Sequence, residues 1–247
     1  MVPSAIADLV TAARRITVLT GAGMSAESGV PTFRDAQTGW WARYDPMQLA
    51  TPEAFDEDPD LVWAWYLRRL QLVRGAQPHS GHHALSSWAV LRPLSIVTQN
   101  VDDLHERAGS TVLAHLHGSL AEFRCASCGG TPQRLPELPD EVPERVAPPF
   151  CTDCGGRIRP GVVWFGEALP QQPFAHAEQA VTDADLVLVV GTSGLVQPAA
   201  GLPLRARAAG VPTVELNPTD TALSDYVQHR WRTTAAEGLP RLLELLG

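Results

Sequence analysis

The 247-residue chain contains no lysine: all 19 of its cationic side chains are arginine, against 27 acidic ones, for a net charge of −8. The Ala-, Arg- and Pro-rich composition makes codon bias the simplest source of that absence. A chain with a net negative charge lacks the basic surface that sequence-independent binding to DNA or RNA needs. Long apolar runs are also missing. Runs such as residues 186–190 fall far short of the roughly 20 residues that span a bilayer. Residues 1–8 hold no basic patch followed by an apolar stretch, so no secretory signal is read there. With 45% hydrophobic and 19% charged residues the chain is globular, and its length suits one α/β domain with insertions or two small lobes. The expectation is a soluble, cytoplasmic protein of unknown oligomeric state, with neither a membrane nor a nucleic acid as direct partner.

Cysteine is scarce too, but its placement is informative. The four cysteines form two C-x-x-C pairs, Cys125/Cys128 and Cys151/Cys154, 22 residues apart. Two such knuckles with nothing left over fit a tetrahedral, structural zinc ion (Zn2+) held by four thiolates. Two disulfides, or four buried thiols, are the alternatives. Disulfides sit poorly with a chain that has no secretory signal.

Hydrophobic periodicity orders the rest. Residues 4–15 read as an amphipathic helix with Ile6, Leu9, Val10 and Ala13 on one face. A β-branched strand follows at residues 16–20 and runs into Gly21-Ala22-Gly23. Such a turn resembles a dinucleotide-binding loop, yet position 26 is Ala26, where the usual fingerprint has a third glycine. No acidic residue ends a second strand about 20 residues later. Further apolar strands at 94–97, 186–190 and 213–216 run into Gln99-Asn100-Val101-Asp102, Gly191-Thr192-Ser193 and Asn217. Continuous apolar runs suit a parallel sheet buried on both faces, and helical segments such as 175–182 and 203–209 lie between strands, while a further helix at 59–74 belongs to a segment that interrupts the alternation. The pattern predicts an α/β fold: a Rossmann-like, doubly wound parallel sheet with a smaller zinc-ribbon/helical lobe. Ligands of such sheets bind beyond the carboxyl ends of the strands, where all four polar tips converge. The large domain is assigned residues 1–35, 76–118 and 160–247; the small one takes 36–75 and 119–159.

The run Gly21-Ala22-Gly23-Met24-Ser25-Ala26-Glu27-Ser28-Gly29-Val30-Pro31-Thr32-Phe33-Arg34 resembles the nucleotide loop of sirtuins. Gln99-Asn100-Val101-Asp102, His117-Gly118-Ser119, the cysteine pairs, Val163-Trp164-Phe165-Gly166-Glu167, Gly191-Thr192-Ser193 and Asn217 follow in the sirtuin order. Sirtuins are NAD-dependent protein lysine deacylases, so the resemblance implies NAD as co-substrate and acyl-lysine-bearing proteins as partners. It implies that Gly21, Ala22 and Gly23 bring backbone N–H groups to the pyrophosphate, with Ser25 adding a hydroxyl donor. Phe33 and Arg34 fall on the mobile cofactor loop, Phe33 shielding the reactive ribose carbon; alone, Phe33 reads as a core aromatic. Gln99 touches the ribose, and Asn100 and Asp102 flank the nicotinamide; alone, they read as a helix N-cap. Gly191, Thr192, Ser193 and Asn217 hold phosphate and the adenosine ribose, and Ala235 meets adenine through its backbone.

By the same resemblance His117, one of eight histidines, is the general base. The acyl oxygen attacks the ribose carbon as nicotinamide leaves, and a deprotonated ribose hydroxyl then attacks the imidate carbon, giving O-acyl-ADP-ribose. His115, two residues earlier, is expected on the same face but further from the tip. The stretch 162–166 reads either as a core strand or, by resemblance, as an edge that pairs with the substrate peptide by β-augmentation through Val163, Trp164, Phe165 and Gly166. Val163 and Trp164 then help line the acyl-lysine tunnel. With no lysine, such an enzyme must find its substrates in trans and cannot be regulated by acylation of its own lysines.

Within the helix at 59–74, Tyr66 and Arg69 stand at i and i+3 and share a face. They resemble the Tyr-x-x-Arg pair of the sirtuin branch that removes malonyl, succinyl and glutaryl groups. An arginine fork binds a carboxylate bidentately, and a tyrosine hydroxyl adds another bond. Arg68 points about 100° away. The implied activity is that of a desuccinylase/demalonylase. The alternatives are a deacetylase, a protein ADP-ribosyltransferase, or a non-catalytic NAD sensor.

Overall fold

A computed structural model describes residues 1–31, 44–133 and 141–247. The N-terminal helix α1 (Ser4–Ala12) leads into strand β1 (Ile16–Thr20) and the short turn of helix α2 (Gly23–Ala26). Helices α3 (Pro46–Leu49), α4 (Pro52–Glu57), α5 (Pro59–Gly75) and α6 (Ser80–Leu91) come next, then β2 (Leu94–Thr98), α7 (Leu104–Arg107) and β3 (Val112–His115). Strands β4 (Gly118–Cys125) and β5 (Ile158–Val162) precede α8 (Gln171–Thr182) and β6 (Leu186–Val190). The chain ends with α9 (Leu202–Ala208), β7 (Thr213–Leu216), β8 (His229–Trp231) and α10 (Ala235–Leu243).

Among the described residues the main sheet has six parallel strands in the order β3-β2-β1-β6-β7-β8. The strand order reverses between β1 and β6, the arrangement of a Rossmann-like fold. Alternation along β6 shows both faces covered. Leu186, Leu188 and Val190 join Ile6, Val10, Trp88 and Leu239 in one core, while Val187 and Val189 join Ala177, Val181 and Ala206 in the other. A third core lies under β4 and β5, an antiparallel pair, where Trp63, Trp65 and Tyr66 of α5 meet Phe123, Ile158 and Trp164. Side-chain caps set the starts of α4, α5 and α10: Thr51, Asp58 and Thr234 accept N–H bonds from Ala54, Leu61 and Glu237. No helix among the described residues is long and apolar enough to cross a membrane.

Three local readings differ from the structure. Helix α1 stops at Ala12 rather than continuing to residue 15, because the Asp185 carboxylate takes the N–H groups of Arg14 and Arg15 at 3.1 and 2.8 Å and turns the chain into β1. Edge strand β8 was not legible in the sequence, since three residues carry no periodicity. The stretch 162–166 is not continuously extended. It breaks after Val162 into a turn, with Gly166 at φ +87°, because Glu167 reaches back to accept the Trp164 N–H at 2.8 Å.

Candidate active site

The crevice lies beyond the carboxyl ends of β1 and β6, at the reversal of strand order. Its floor is built by close backbone contact. A Cβ on Gly23 would sit 2.8 Å from the Cα of Gly191, and one on Gly21 would sit 2.8 Å from the Cα of Thr192. Gly191 itself has φ +62°, which a side chain disfavours. The glycines therefore let the two strand tips touch. The N–H groups of Gly21 and Gly23 donate to Val190 and Gly191 at 3.0 and 2.7 Å, so both are spent inside the protein rather than left for a phosphate. Thr192 is buried, its hydroxyl accepts from the Gln99 amide at 3.1 Å, and its carbonyl accepts from Asn217 at 3.2 Å. The Ser193 carbonyl takes the Ala222 N–H at 3.2 Å. Ala235 is buried at the start of α10, its carbonyl against Gly81.

The tip of β2 carries the next group. Asn100 and Asp102 are buried, and Ser25 joins them. The Ser25 hydroxyl accepts from Asn100 at 3.0 Å and donates to Asp102 at 2.8 Å. Its one proton is thus held by Asp102 in this structure. Burial raises the Asp102 pKa, and the bonds from Ser25 and the Leu104 N–H oppose that shift.

His117 follows β3. Its Nδ1 lies 3.0 Å from the Gln99 carbonyl, which can only accept. Nδ1 therefore carries the proton and Nε2 the lone pair. Burial lowers the His117 pKa, opposed by the bond to Gln99. The turn after it needs glycine: Gly118 has φ +73°, and a Cβ there would strike the Gly161 carbonyl. His115 faces the neighbouring carbonyl of Asn100 at 3.4 Å and Glu106 at 2.7 Å, so it is a paired surface group set back from the tip.

The α5 residues reach the same region from the other side. Tyr66 is buried, with its hydroxyl 2.9 Å from the Trp164 indole nitrogen. Burial pushes the Tyr66 pKa well above its ordinary value, and the Arg69 charge pulls the other way. Arg69 is half-buried, with its guanidinium 5.0 Å from the Trp65 ring centroid, and its pKa is lowered by burial against the attraction of Tyr66 and Asp102. Arg68 is exposed. Val163 donates its N–H to the His117 carbonyl at 2.8 Å, and Phe165 donates to Ala50 at 2.9 Å. Phe33 and Arg34 lie outside the described residues.

The four cysteine sulfurs lie within 4.8 Å of one another, and all four thiols are free. Sulfur separations of 3.4 Å (Cys125–Cys154) and 3.9 Å (Cys128–Cys151) bracket the ~3.8 Å edge of a tetrahedron with ~2.3 Å zinc–sulfur bonds. N–H groups of Ser127, Cys128 and Gly156 point at Cys125 and Cys154, as thiolate ligands favour. The donor set fits a zinc ion.

Residues 21–198 match the Sir2 family. The chain belongs to that family. It is 52% identical over 233 residues to an NAD-dependent protein deacylase of Mycobacterium tuberculosis, covering 94% of this chain and 98% of the relative. It is 50% identical over 238 residues to NAD-dependent protein deacylase 2 of Corynebacterium efficiens, covering 95% and 94%. The fold matches a crystal structure of a Sir2 homologue–NAD complex with TM-score 0.91 and 42% identity, covering 100% of this chain and 94% of that one. A mutant Sir2 homologue bound to 2′-O-acetyl-ADP-ribose matches with TM-score 0.89 and 42% identity, covering 99% and 96%.

Two features of this Sir2 chain escaped the sequence reading. Arg159, buried on β5, stacks on Trp164 and pairs with Glu167. One arginine among 19 carries no signal of its own. Beneath the crevice, His82 and His105 are buried, and Thr20 joins His105 to Thr98 at 3.1 and 2.8 Å. Long sequence separation hid that cluster.

Proposed function

We propose that this chain is an NAD-dependent protein lysine deacylase that prefers acyl groups ending in a carboxylate, succinyl and malonyl above all. The observation that carries the preference is the placement of Tyr66 and Arg69 about one turn apart on α5: the Tyr66 hydroxyl meets the Trp164 indole, and the Arg69 charge is felt at Tyr66 and itself feels Asp102. A guanidinium and a phenol together match an acyl carboxylate. A neutral acetyl group offers them no charge to bind.

Bound NAD supplies an electrophilic ribose carbon, as nicotinamide leaves, and the hydroxyl that accepts the acyl group. The Ser25–Asn100–Asp102 network orients the nicotinamide end, since Asn100 commits its Nδ2 to Ser25 and keeps its amide oxygen as an acceptor. Gln99 meets the ribose. Gly21, Ala22 and Gly23 give the pyrophosphate close approach, with the N–H of Ala22 as the donor between two engaged ones. Gly191, Thr192, Ser193, Asn217 and Ala235 hold the adenosine side, and a cofactor-binding role is proposed for Phe33 and Arg34. His117 Nε2 takes the proton of the ribose hydroxyl.

Protein substrates dock along Val163–Gly166. Because the N–H groups of Val163, Trp164 and Phe165 are already engaged, peptide pairing falls to carbonyls of this stretch and to the Gly166 N–H. The zinc is structural, and the setting proposed for the enzyme is the cytoplasm. Mass spectrometry of a reaction with NAD and a succinyl-lysine peptide tests the reaction type. The expected products are free lysine peptide, nicotinamide and O-succinyl-ADP-ribose; a protein adduct of ADP-ribose instead would contradict it.

A further inference from the structure

The hydrogen bond between Trp164 and Tyr66 has a direction fixed by chemistry. An indole N–H only donates. At 2.9 Å it makes the Tyr66 oxygen the acceptor, leaving the phenol with its own proton to place. Among the described residues that proton has no acceptor, and Tyr66 is buried. A buried donor without a partner is costly, so the group that completes this site is an acceptor. The surroundings agree in sign. The Arg69 charge acts on Tyr66, and a cation beside the phenol favours an anionic acceptor. A carboxylate is acceptor-only, whereas the methyl end of an acetyl group offers nothing.

The indole is held firmly. The guanidinium of Arg159 lies 3.2 Å from the Trp164 ring centroid, and Phe55 packs at 5.3 Å. Arg159 is only 5% exposed. Glu167 grips it through both oxygens at 2.5 and 3.0 Å and also takes the Trp164 N–H at 2.8 Å. Arg159 further donates to the Val162 carbonyl at 3.0 Å. The same carboxylate therefore fixes the backbone of Trp164 and the cation stacked on its ring.

We propose that Trp164 determines acyl specificity, by forcing the Tyr66 hydroxyl to act as a donor toward the acyl terminus, and that Arg159 and Glu167 are the positioning residues that hold the indole for this task. The proposal rests on the acidic-acyl reading and adds that the Tyr66–Arg69 pair alone is not sufficient for the preference.

The test is a double-mutant cycle on the ratio of kcat/KM for succinyl- and acetyl-lysine forms of one peptide, with Trp164→Phe, Tyr66→Phe and both together. Trp164→Phe should lower the succinyl/acetyl ratio about tenfold, the order expected for one hydrogen bond to a charged group, mainly through the succinyl-peptide KM. The double variant should lose no more than the larger single loss, because the indole N–H acts only through the hydroxyl. Fully additive losses, or an unchanged ratio in Trp164→Phe beside a wild type that prefers succinyl, overturn this proposal alone. A wild type without succinyl preference overturns the acidic-acyl reading and this proposal with it. If Trp164→Phe does not fold, benzothienylalanine at position 164 keeps the ring shape and the Arg159 stack and removes only the N–H. A tenfold fall in the ratio supports the proposal there, and no fall overturns it.

Discussion

His117 Nδ1 sits 3.0 Å from the carbonyl of Gln99, and that single contact selects the tautomer of the proposed base. A carbonyl accepts, so the proton stays on Nδ1 and the lone pair stays on Nε2. Strand β2 and the end of β3 run side by side and bring the two residues together, although 18 positions separate them.

The pH profile follows from that arrangement. Burial lowers the His117 pKa below the ordinary value of about 6.5. A lowered pKa keeps Nε2 unprotonated to more acidic pH. The acid limb of kcat/KM should therefore fall at a pH below about 6.5, with a plateau above it. His117→Ala should reduce kcat by at least about 10²-fold, the usual contribution of a general base, while NAD binding is retained. An acid limb above 7, or a fully active His117→Ala, contradicts the assignment.

Stability has its own pH dependence, with two opposite signs. Burial lowers the pKa of His82 to about 2 and of His105 to about 4. The unfolded chain takes up protons below about 6.5 that the folded chain refuses, so stability falls as pH drops from about 6.5 toward 4. For His115, burial opposes the shift, but the bond to Glu106 prevails and raises the pKa. Its contribution is fully present below about 6.5 and is lost as pH rises through the raised value. Thermal melts should show maximum Tm near neutrality, and His105→Asn should flatten the acid side. A flat acid limb in the wild type contradicts the buried-neutral assignment.

Metal removal gives a third check. Four thiolates at these separations should bind one zinc per chain. Chelation, or Cys154→Ala, should lower Tm and loosen the β4–β5 pair while leaving the main sheet's far-UV signature in place. A protein that carries no metal and melts identically with and without chelator contradicts the site.

The sequence made some of this plain for a physical reason. Strands β1, β6 and β7 coincide with their predicted bounds because β-branched and aliphatic runs end abruptly in glycine or asparagine. The converging tips were readable because the doubly wound topology forces them together. Contacts made by distant residues were not readable. Asp185 ends α1 from 170 residues away, Glu167 breaks the 162–166 stretch, and Arg159 supports Trp164, all through side chains whose partners no local pattern names. The glycine-rich turn is legible as a close-approach site, but the tight packing of Gly21 and Gly23 on the backbone of Gly191 and Thr192 is not, because those residues are about 170 positions away. Tyr66 and Arg69 were legible as a helical pair, but the indole that fixes the hydroxyl's role was not.

The measurement that bears most directly on the account is a steady-state comparison of succinyl- and acetyl-lysine forms of one peptide with NAD, for the wild type and Arg69→Met. The account predicts that the wild type has the higher kcat/KM on succinyl-lysine. It also predicts that Arg69→Met loses roughly 10–100-fold on that substrate, the range for a charge-assisted hydrogen bond, and little on acetyl-lysine. A wild type that prefers acetyl-lysine, or succinyl turnover indifferent to Arg69→Met, contradicts it.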